Sequence, residues 1–433
     1  MRVIADLHVH SKYARATSPQ CDIKGLSQGA KQKGIDLMAS GDFTHPVYFQ
    51  EIRNSFSKDQ ADIGNGSGLY PCNGVHFIFS SEVSVIYKDG KDAAPDCPKT
   101  LAGEERSKKM HHILLAPSID IASQINDRLK KYGSLTEDGR PTLMLSSAAL
   151  VEEMHAISPE IIIIPAHVWT PWFSLFGSKS GVDSVEAAFG DQAHRIFALE
   201  TGLSSDPAMN WMLSALDRFT LVSNSDAHSL AKLGREANIF ELPKMTYGAL
   251  KHALMTKQGF EKTFEFYPEE GKYHYDGHRN CGVLMTPWEA KDHKDICPVC
   301  RKKITVGVLH RVADLADRKF GFKPENAVPF QHIVPLQTII SKALKKPETA
   351  RVIPEEIDKL VRYFGSEFAV FEASVDQIRL STSKEIADAI IRAKTGRIRW
   401  IPGYDGEFGQ LILEEDKPSK KAVDKKQSRL DDF

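Results

Sequence analysis

Cysteine is scarce in this chain, 6 in 433 residues, and Cys21, Cys72 and Cys97 stand apart with no spacing that pairs them. A disulfide-framed secreted scaffold is thereby excluded. Charge of one sign is lacking too: 56 Lys and Arg oppose 57 Asp and Glu, a formal net charge of -1. Without a global positive field a histone-like coat is excluded, and any hold on nucleic acid has to come from local basic surface. No apolar run approaches the roughly 20 residues needed to span a bilayer, and the first residues lack a basic stretch followed by an apolar one. A cytoplasmic protein with no membrane partner is expected. The composition, 42% hydrophobic and 26% charged, is that of a globular protein. Its length predicts two or three domains.

What the sequence does contain is a repeated theme. Over roughly the first 260 residues, short apolar runs end in a polar or metal-capable residue and lead into more helical stretches. The runs are "RVIADLHVH", "IDLMASGDFTH", "HFIFSSE", "HHILLAPS", "IIIIPAH", "IFALETG" and "LVSNSDAH". They predict an α/β fold, a parallel barrel whose site gathers at one rim. His112 stands at the start of its run, so an antiparallel excursion turning at Lys88, Asp89, Gly90 and Lys91 is expected to return it to that rim. Ser57 to Gly74, rich in Gly, Asn and Asp, reads as a surface loop. "WTPWFSLFGSKSGVDS", directly after His167, is aromatic where a loop is ordinarily polar. Trp169, Trp172 and Phe173 are therefore candidates for contact with substrate, although a cap folded onto the barrel accounts for them equally well.

In an extended segment residues two apart share a face, so His8 and His10 converge while Val9 points away. Such a pair is half of a metal site, and the other run ends supply Asp42, His45, Glu82, His112, His167, Asp226 and His228. Mixed imidazole and carboxylate donors without thiolates argue against a purely structural zinc cage. The candidate catalytic set is His8, His10, Glu82, His167, Asp226 and His228. His111, one residue out of step with His112, is expected to face away, and His155 and His194 lie in helical surroundings. Asp6 and Glu200 are candidates for orienting ligands from behind.

The motifs "HVH", "SSE", "HILL", "PAH" and "SDAH" resemble those of the polymerase and histidinol phosphatase (PHP) phosphoesterase family. The resemblance implies a distorted seven-stranded (β/α)7 barrel with a trinuclear metal site. Two departures stand out: Tyr13 and Arg15 occur where the family often has an acid or a histidine, and "GDFTH" replaces an adjacent Asp-His pair. Asp42 and His45 are thus both open as the ligand. Two or three divalent ions, with zinc, manganese, magnesium and iron all open, would acidify a water for in-line attack on phosphorus and clamp the phosphate oxygens. Arg15 is a candidate to brace a phosphate.

The second half decides between small and polymeric phosphoesters. His278, Cys281, Cys297 and Cys300 follow the spacing H-x2-C-x15-C-x2-C, that of a closed structural zinc site, with His274 as a possible substitute for His278. Arg301, Lys302, Lys303, His310 and Arg311 follow, candidates for contact with DNA phosphates. Amphipathic stretches such as "PEEIDKLVRYF" and "SKEIADAIIRAK" come next, and "IPGYDGEFGQLIL" reads as a turn-rich hairpin. The expected division is a barrel over 1–262, a zinc module over 263–322, a mainly helical region over 323–413 and a charged, disordered tail over 414–433. In that tail Gln427, Leu430 and Phe433 have the spacing of a motif that docks on a DNA sliding clamp, without the usual second terminal aromatic.

Long matches, among them "GDFTHP", "PAHVWTPWFSLFGSKSG", "ETGLSSDPAMNW", "YHYDGHRNCG" and "GVLHRVADLADR", resemble the endonuclease Q family of DNA-repair enzymes across the whole chain. That resemblance implies cleavage of single- or double-stranded DNA on the 5′ side of deaminated bases, deoxyuridine and deoxyinosine first, with deoxyxanthosine and abasic sites as further substrates. Two rivals are weighed beside it. A phosphatase of the histidinol-phosphate type needs neither the zinc module nor the basic second half. A non-catalytic zinc DNA-binding protein does not need nine ligands.

Overall fold

A computed structural model describes residues 1–56, 67–88 and 107–413. Each of the seven apolar runs holds one strand of β1 Arg2–Asp6, β2 Leu37–Ala39, β4 Val75–Lys88, β5 Ser107–Ala116, β7 Ile162–Pro165, β8 Ala198–Glu200 and β9 Thr220–Val222. Between them lie the short β3 Tyr70–Cys72 and β6 Thr142–Leu143, and beyond them β10 Ala237–Glu241, β11 Phe260–Glu265 and β14 Phe330–His332. The main sheet has ten strands in the order β14-β11-β10-β1-β2-β4-β5-β7, with β3 and β6 also on β4, while β8 and β9 form a separate parallel pair. The sheet is therefore larger than the expected seven strands and curls as a half-barrel. Single hydrogen bonds continue the curl: Val168 N–H donates to the Glu200 carbonyl (3.0 Å) and His10 N–H to the Ala227 carbonyl (3.0 Å). Ala5, Leu7, Ile78, Ile113, Leu115, Ile162, Ile164 and Val222 fill the inside, and burial of such aliphatic chains, each roughly 1.5–3 kcal/mol, makes the floor on which the polar rim stands.

β4 and β5 pair antiparallel from Phe79–Ala116 to Lys88–Ser107, the excursion expected from the sequence. Its turn beyond Lys88, most of the 57–74 loop, Cys97 and the tail with Gln427, Leu430 and Phe433 lie outside the described residues.

The expected boundary after residue 262 falls inside β11, and β14, from the stretch expected to be helical, pairs with it in parallel. The segment between holds the hairpin β12 Asp276–His278 and β13 Val283–Met285 and a small core of Met285, Ala290, Cys297 and Ile304. The C-terminal region has helices Leu336–Leu344, Val352–Phe364, Glu367–Glu372, Val375–Ser381 and Lys384–Lys394, then the expected hairpin, β15 Ile398–Ile401 with β16 Gln410–Leu413. It seats on the barrel through Phe368 stacked on Phe264 (5.0 Å) and Lys33 paired with Glu367 (2.9 Å). Among the described residues no helix is long and apolar enough to cross a membrane.

Candidate active site

His8 and His10 leave the C-terminal end of β1 on one face, as the two-residue period requires, and both are buried. The Nδ1 of His8 lies 3.0 Å from Glu200 Oε1, and that of His10 lies 3.0 Å from Asp42 Oδ1. A carboxylate on Nδ1 holds the proton there and leaves Nε2 as a lone-pair donor, the arrangement that prepares a histidine for a metal. Both Nε2 atoms are buried without a hydrogen-bond partner, and so is Asp226 Oδ1. His10 Nε2 is 3.1 Å from Asp226 Oδ1 and 3.2 Å from Glu82 Oε2, and His8 Nε2 is 3.8 and 3.6 Å from the same two atoms. Ligand bonds of about 2.0–2.2 Å in tetrahedral array put donor atoms roughly 3.4 Å apart, so His8, His10, Glu82 and Asp226 fit one divalent ion.

The other oxygen of Glu82 serves a second group. Its Oε1 is 2.8 Å from His111 Nδ1 and 2.9 Å from His167 Nε2, which are 3.2 Å from each other. A carboxylate shared between two donor groups is suited to bridging two ions. Burial pulls the His8 and His10 imidazoles down, but the carboxylates of Glu200, Glu82 and Asp42 outweigh it and lift both well above the usual range. Protons and metal ions therefore compete for these two imidazoles.

Four of the nine expected ligands, Asp42, His45, His112 and His228, lie outside the two donor groups. His112 points away from the cluster and bonds Ser147 Oγ at 2.9 Å, and burial lowers it to about 3, a neutral packed histidine. The reason is register: Glu82 pairs with Ile113, so His111, two residues from Ile113, shares the Glu82 face, whereas His112 pairs with Val83. His111, expected to face away, is the one in the site. Asp42 spends Oδ1 on His10 and Oδ2 on the Ser11 N–H (2.6 Å) and hydroxyl (2.7 Å), so it orients His10 from behind. His45 stacks on Tyr13 at 4.3 Å and belongs to neither donor group. His228 stands beside the cluster, its ring 4.4 Å from that of His10, with Nδ1 on the Asp226 carbonyl.

Asp42, His167 and Asp226 all hold left-handed backbones, φ +39°, +31° and +45°, a clustering of strain in one place. At His167 it needs a glycine opposite: a Cβ on Gly202 would lie 2.5 Å from the His167 Cβ. The Asp226 loop is tied down by Asp6, which accepts from the Ser225 and Gly234 N–H groups, both at 3.1 Å. Glu200 also takes the His167 N–H (2.8 Å) and Asn224 Nδ2 (2.8 Å), so one buried acid orients two motifs. Arg140 was not legible in the sequence: no motif marks it, yet its Nη1 donates to Glu82 Oε2 at 3.0 Å.

Around the cluster the expected DNA contacts separate. Trp172 is 49% exposed and Phe173 half-buried, but Trp169 is buried, its indole donating to Asn210 Oδ1 at 2.8 Å, and is an anchor rather than a contact. Arg15 is exposed, its N–H donating to Asp138 Oδ1. Arg301, Lys302 and Lys303 are exposed. His310 is buried on Asp276 (2.6 Å), and Arg311 donates to the Phe176 and Val182 carbonyls and to Asp183, so these two are structural braces, the second of the aromatic loop. His278, Cys281, Cys297 and Cys300 come together in one donor group; His274 is not part of it.

No protein-family model matches the chain. It is 27% identical to the uncharacterized protein YqxK of Bacillus subtilis over 433 residues, covering 95% of this chain and 99% of that one. It is 29% identical over 265 residues to the uncharacterized protein MJ0043 of Methanocaldococcus jannaschii, 58% of this chain and 32% of the other. Among solved structures it is similar to the lesion-specific endonuclease PfuEndoQ of Pyrococcus furiosus, with a TM-score of 0.82, 29% identity, and coverage of 95% of this chain and 96% of that one. A crystal structure of endonuclease Q with a 27-mer duplex carrying an abasic lesion at the active site matches with a TM-score of 0.81 and 29% identity over 96% and 97% of the two chains. Over 95% of its length this chain is similar to endonuclease Q, as its sequence motifs implied.

Proposed function

We propose that the chain is a DNA-repair endonuclease that hydrolyses the phosphodiester on the 5′ side of a damaged base, deoxyuridine and deoxyinosine first, with deoxyxanthosine and abasic sites as further substrates. It is a hydrolase acting on DNA phosphodiester bonds. One observation carries the reading: Glu82 joins two converging donor groups, with His8 Nε2, His10 Nε2 and Asp226 Oδ1 buried without a hydrogen-bond partner, in a chain similar to endonuclease Q over 95% of its length. When two or three divalent ions are bound there they supply an acidified water and neutralise phosphate oxygens. The chain's own residues do the rest. Glu200 and Asp42 hold the imidazole protons on Nδ1, and Arg140, with only one guanidinium donor on Glu82, has others to offer a phosphate oxygen. Trp172 at the rim is the wall or wedge against which an extruded base rests, and weakly paired deaminated bases cost less to open. His278, Cys281, Cys297 and Cys300 hold a structural zinc whose neighbours Arg301, Lys302 and Lys303 meet the backbone. Gln427, Leu430 and Phe433 tether the enzyme to a sliding clamp.

The test is a duplex with one deoxyuridine, deoxyinosine or abasic site, given to metal-loaded protein beside an undamaged duplex and p-nitrophenyl phosphate. A nick immediately 5′ of the lesion, with the base retained, is the expected product. Equal cleavage of undamaged DNA, release of free uracil, or turnover of the small ester alone would each refute the reading. Pull-down of the cognate clamp should be lost on truncation after Lys426; equal capture removes the tether.

A further inference from the structure

The C-terminal hairpin reaches back to the active-site rim. Its loop is sewn into the segment 269–279: Gly403 N–H donates to the Glu269 carbonyl (2.8 Å), Tyr275 N–H to Gly403 (3.0 Å), Gly406 N–H to Lys272 (3.0 Å) and Gly409 N–H to Glu270 (3.0 Å). The approach is too close for a side chain, since a Cβ on Gly409 would lie 2.0 Å from the Glu269 carbonyl oxygen. Beside this seam stand exposed rings and cations. Phe408 is 64% exposed, with the Lys272 ammonium 4.4 Å from its centroid. Tyr273 meets Trp172 edge-on at 5.8 Å, and the Arg279 Nη1 reaches the hairpin tip at Gly406. Trp172 belongs to the loop that begins at His167, and Thr170 Oγ1 bonds both His167 Nδ1 (3.2 Å) and the Trp172 carbonyl (3.0 Å). Trp172 thus packs on Tyr273 beside the donor groups, and Phe408 packs on Lys272, the residue before Tyr273.

Large rings left in water beside fixed cations gain little within this chain. They match single-stranded nucleic acid, whose bases stack on any aromatic face while its phosphates seek positive charge. Asp405 in the hairpin loop has both oxygens engaged, by the Arg279 N–H (2.8 Å) and the Thr305 hydroxyl (2.5 Å). Glu407 is the exposed acid of the loop. We propose that this ledge binds the DNA strand leading away from the scissile phosphate, stacking opened bases on Trp172 and Phe408 and holding phosphates on Lys272 and Arg279. The proposal rests on reading the site as a DNA endonuclease.

The experiment measures binding of full-length, metal-loaded protein to an undamaged single-stranded oligonucleotide by fluorescence anisotropy at two salt concentrations. Phe408→Ala is expected to weaken binding about fivefold or more, the range of base–aromatic stacking. Lys272→Ala should flatten the salt dependence, and Glu407→Lys should tighten binding. Metal content and hydrolysis of bis(p-nitrophenyl) phosphate should stay at wild-type level in all three, since none touches the donor groups. Unchanged affinity in a Phe408→Ala, Lys272→Ala double variant would overturn the ledge. A wild type that binds the strand, loses affinity in the variants, yet never cuts damaged duplex would support the ledge and sink the endonuclease reading instead.

Discussion

At the scale of the residue, His111 and His112 are neighbours with opposite fates. His111 faces Glu82 and His167 within 3.2 Å, while His112 bonds Ser147 in the packed interior. His111→Ala is expected to lower metal content and activity at least tenfold, whereas His112→Ala should cost stability and leave the metal-to-protein ratio of the folded fraction intact. Elemental analysis of the two purified variants decides it, and the reverse pattern would mean that the register is wrong. The acids behind the imidazoles follow the same logic. Asp42→Asn and Glu200→Gln keep shape but weaken the hold on the His10 and His8 protons, so metal affinity should fall about 10–100-fold. His10→Ala and Asp226→Ala remove ligand atoms outright and should abolish cleavage while DNA binding persists, because phosphate contacts lie elsewhere.

At the scale of the element, the hairpin of β12 and β13 has too little core of its own to stand unaided. Met285, Ala290, Cys297 and Ile304 are the buried residues of that cluster, and the donor group of His278, Cys281, Cys297 and Cys300 must supply the remainder. In such sites binding free energy is folding free energy. Cys297→Ser or Cys300→Ser should therefore release about one zinc per chain and expose the segment around Arg301 to protease, with cleavage of small phosphodiesters retained. Unchanged zinc content would refute the assignment.

At the scale of the whole molecule, β11 and β14 join the barrel to the C-terminal region over buried acids. Burial, and then the nearby Asp206 carboxylate, lift Glu265 to about 8, against its hydrogen bonds from Thr263 and Thr201; Glu236 beside it is raised well above the usual range. His332 on β14 pairs with Asp206 at 3.0 Å. A carboxyl whose folded value lies above its unfolded one keeps a proton that the unfolded chain releases. Its contribution is intact below the ordinary glutamate range and is lost as pH rises toward 8. Glu265→Gln cannot titrate, so its melting temperature relative to wild type should rise by roughly 4 °C between pH 5 and pH 9, corresponding to about 4 kcal/mol. A difference independent of pH would show that Glu265 is ionised throughout.

The sequence by itself determined the repeated apolar runs, the His8 and His10 pair, Glu82, His167, Asp226 and the grouping of His278, Cys281, Cys297 and Cys300, because period-two alternation and short ligand spacings are local properties of a chain. Tertiary structure alone decided which of two adjacent histidines faces Glu82, since that depends on cross-strand register with Ile113. It also decided that Asp42 engages His10 and Ser11 from behind, that Trp169 and Arg311 are anchors, and that Arg140, with no motif around it, reaches Glu82. Each of these turns on partners distant in sequence. The curled sheet brings the ends of β1 and β7 and the middle of β4 around one point, joined there by the loop after β9, and from there a side chain's role is fixed by what meets it in space.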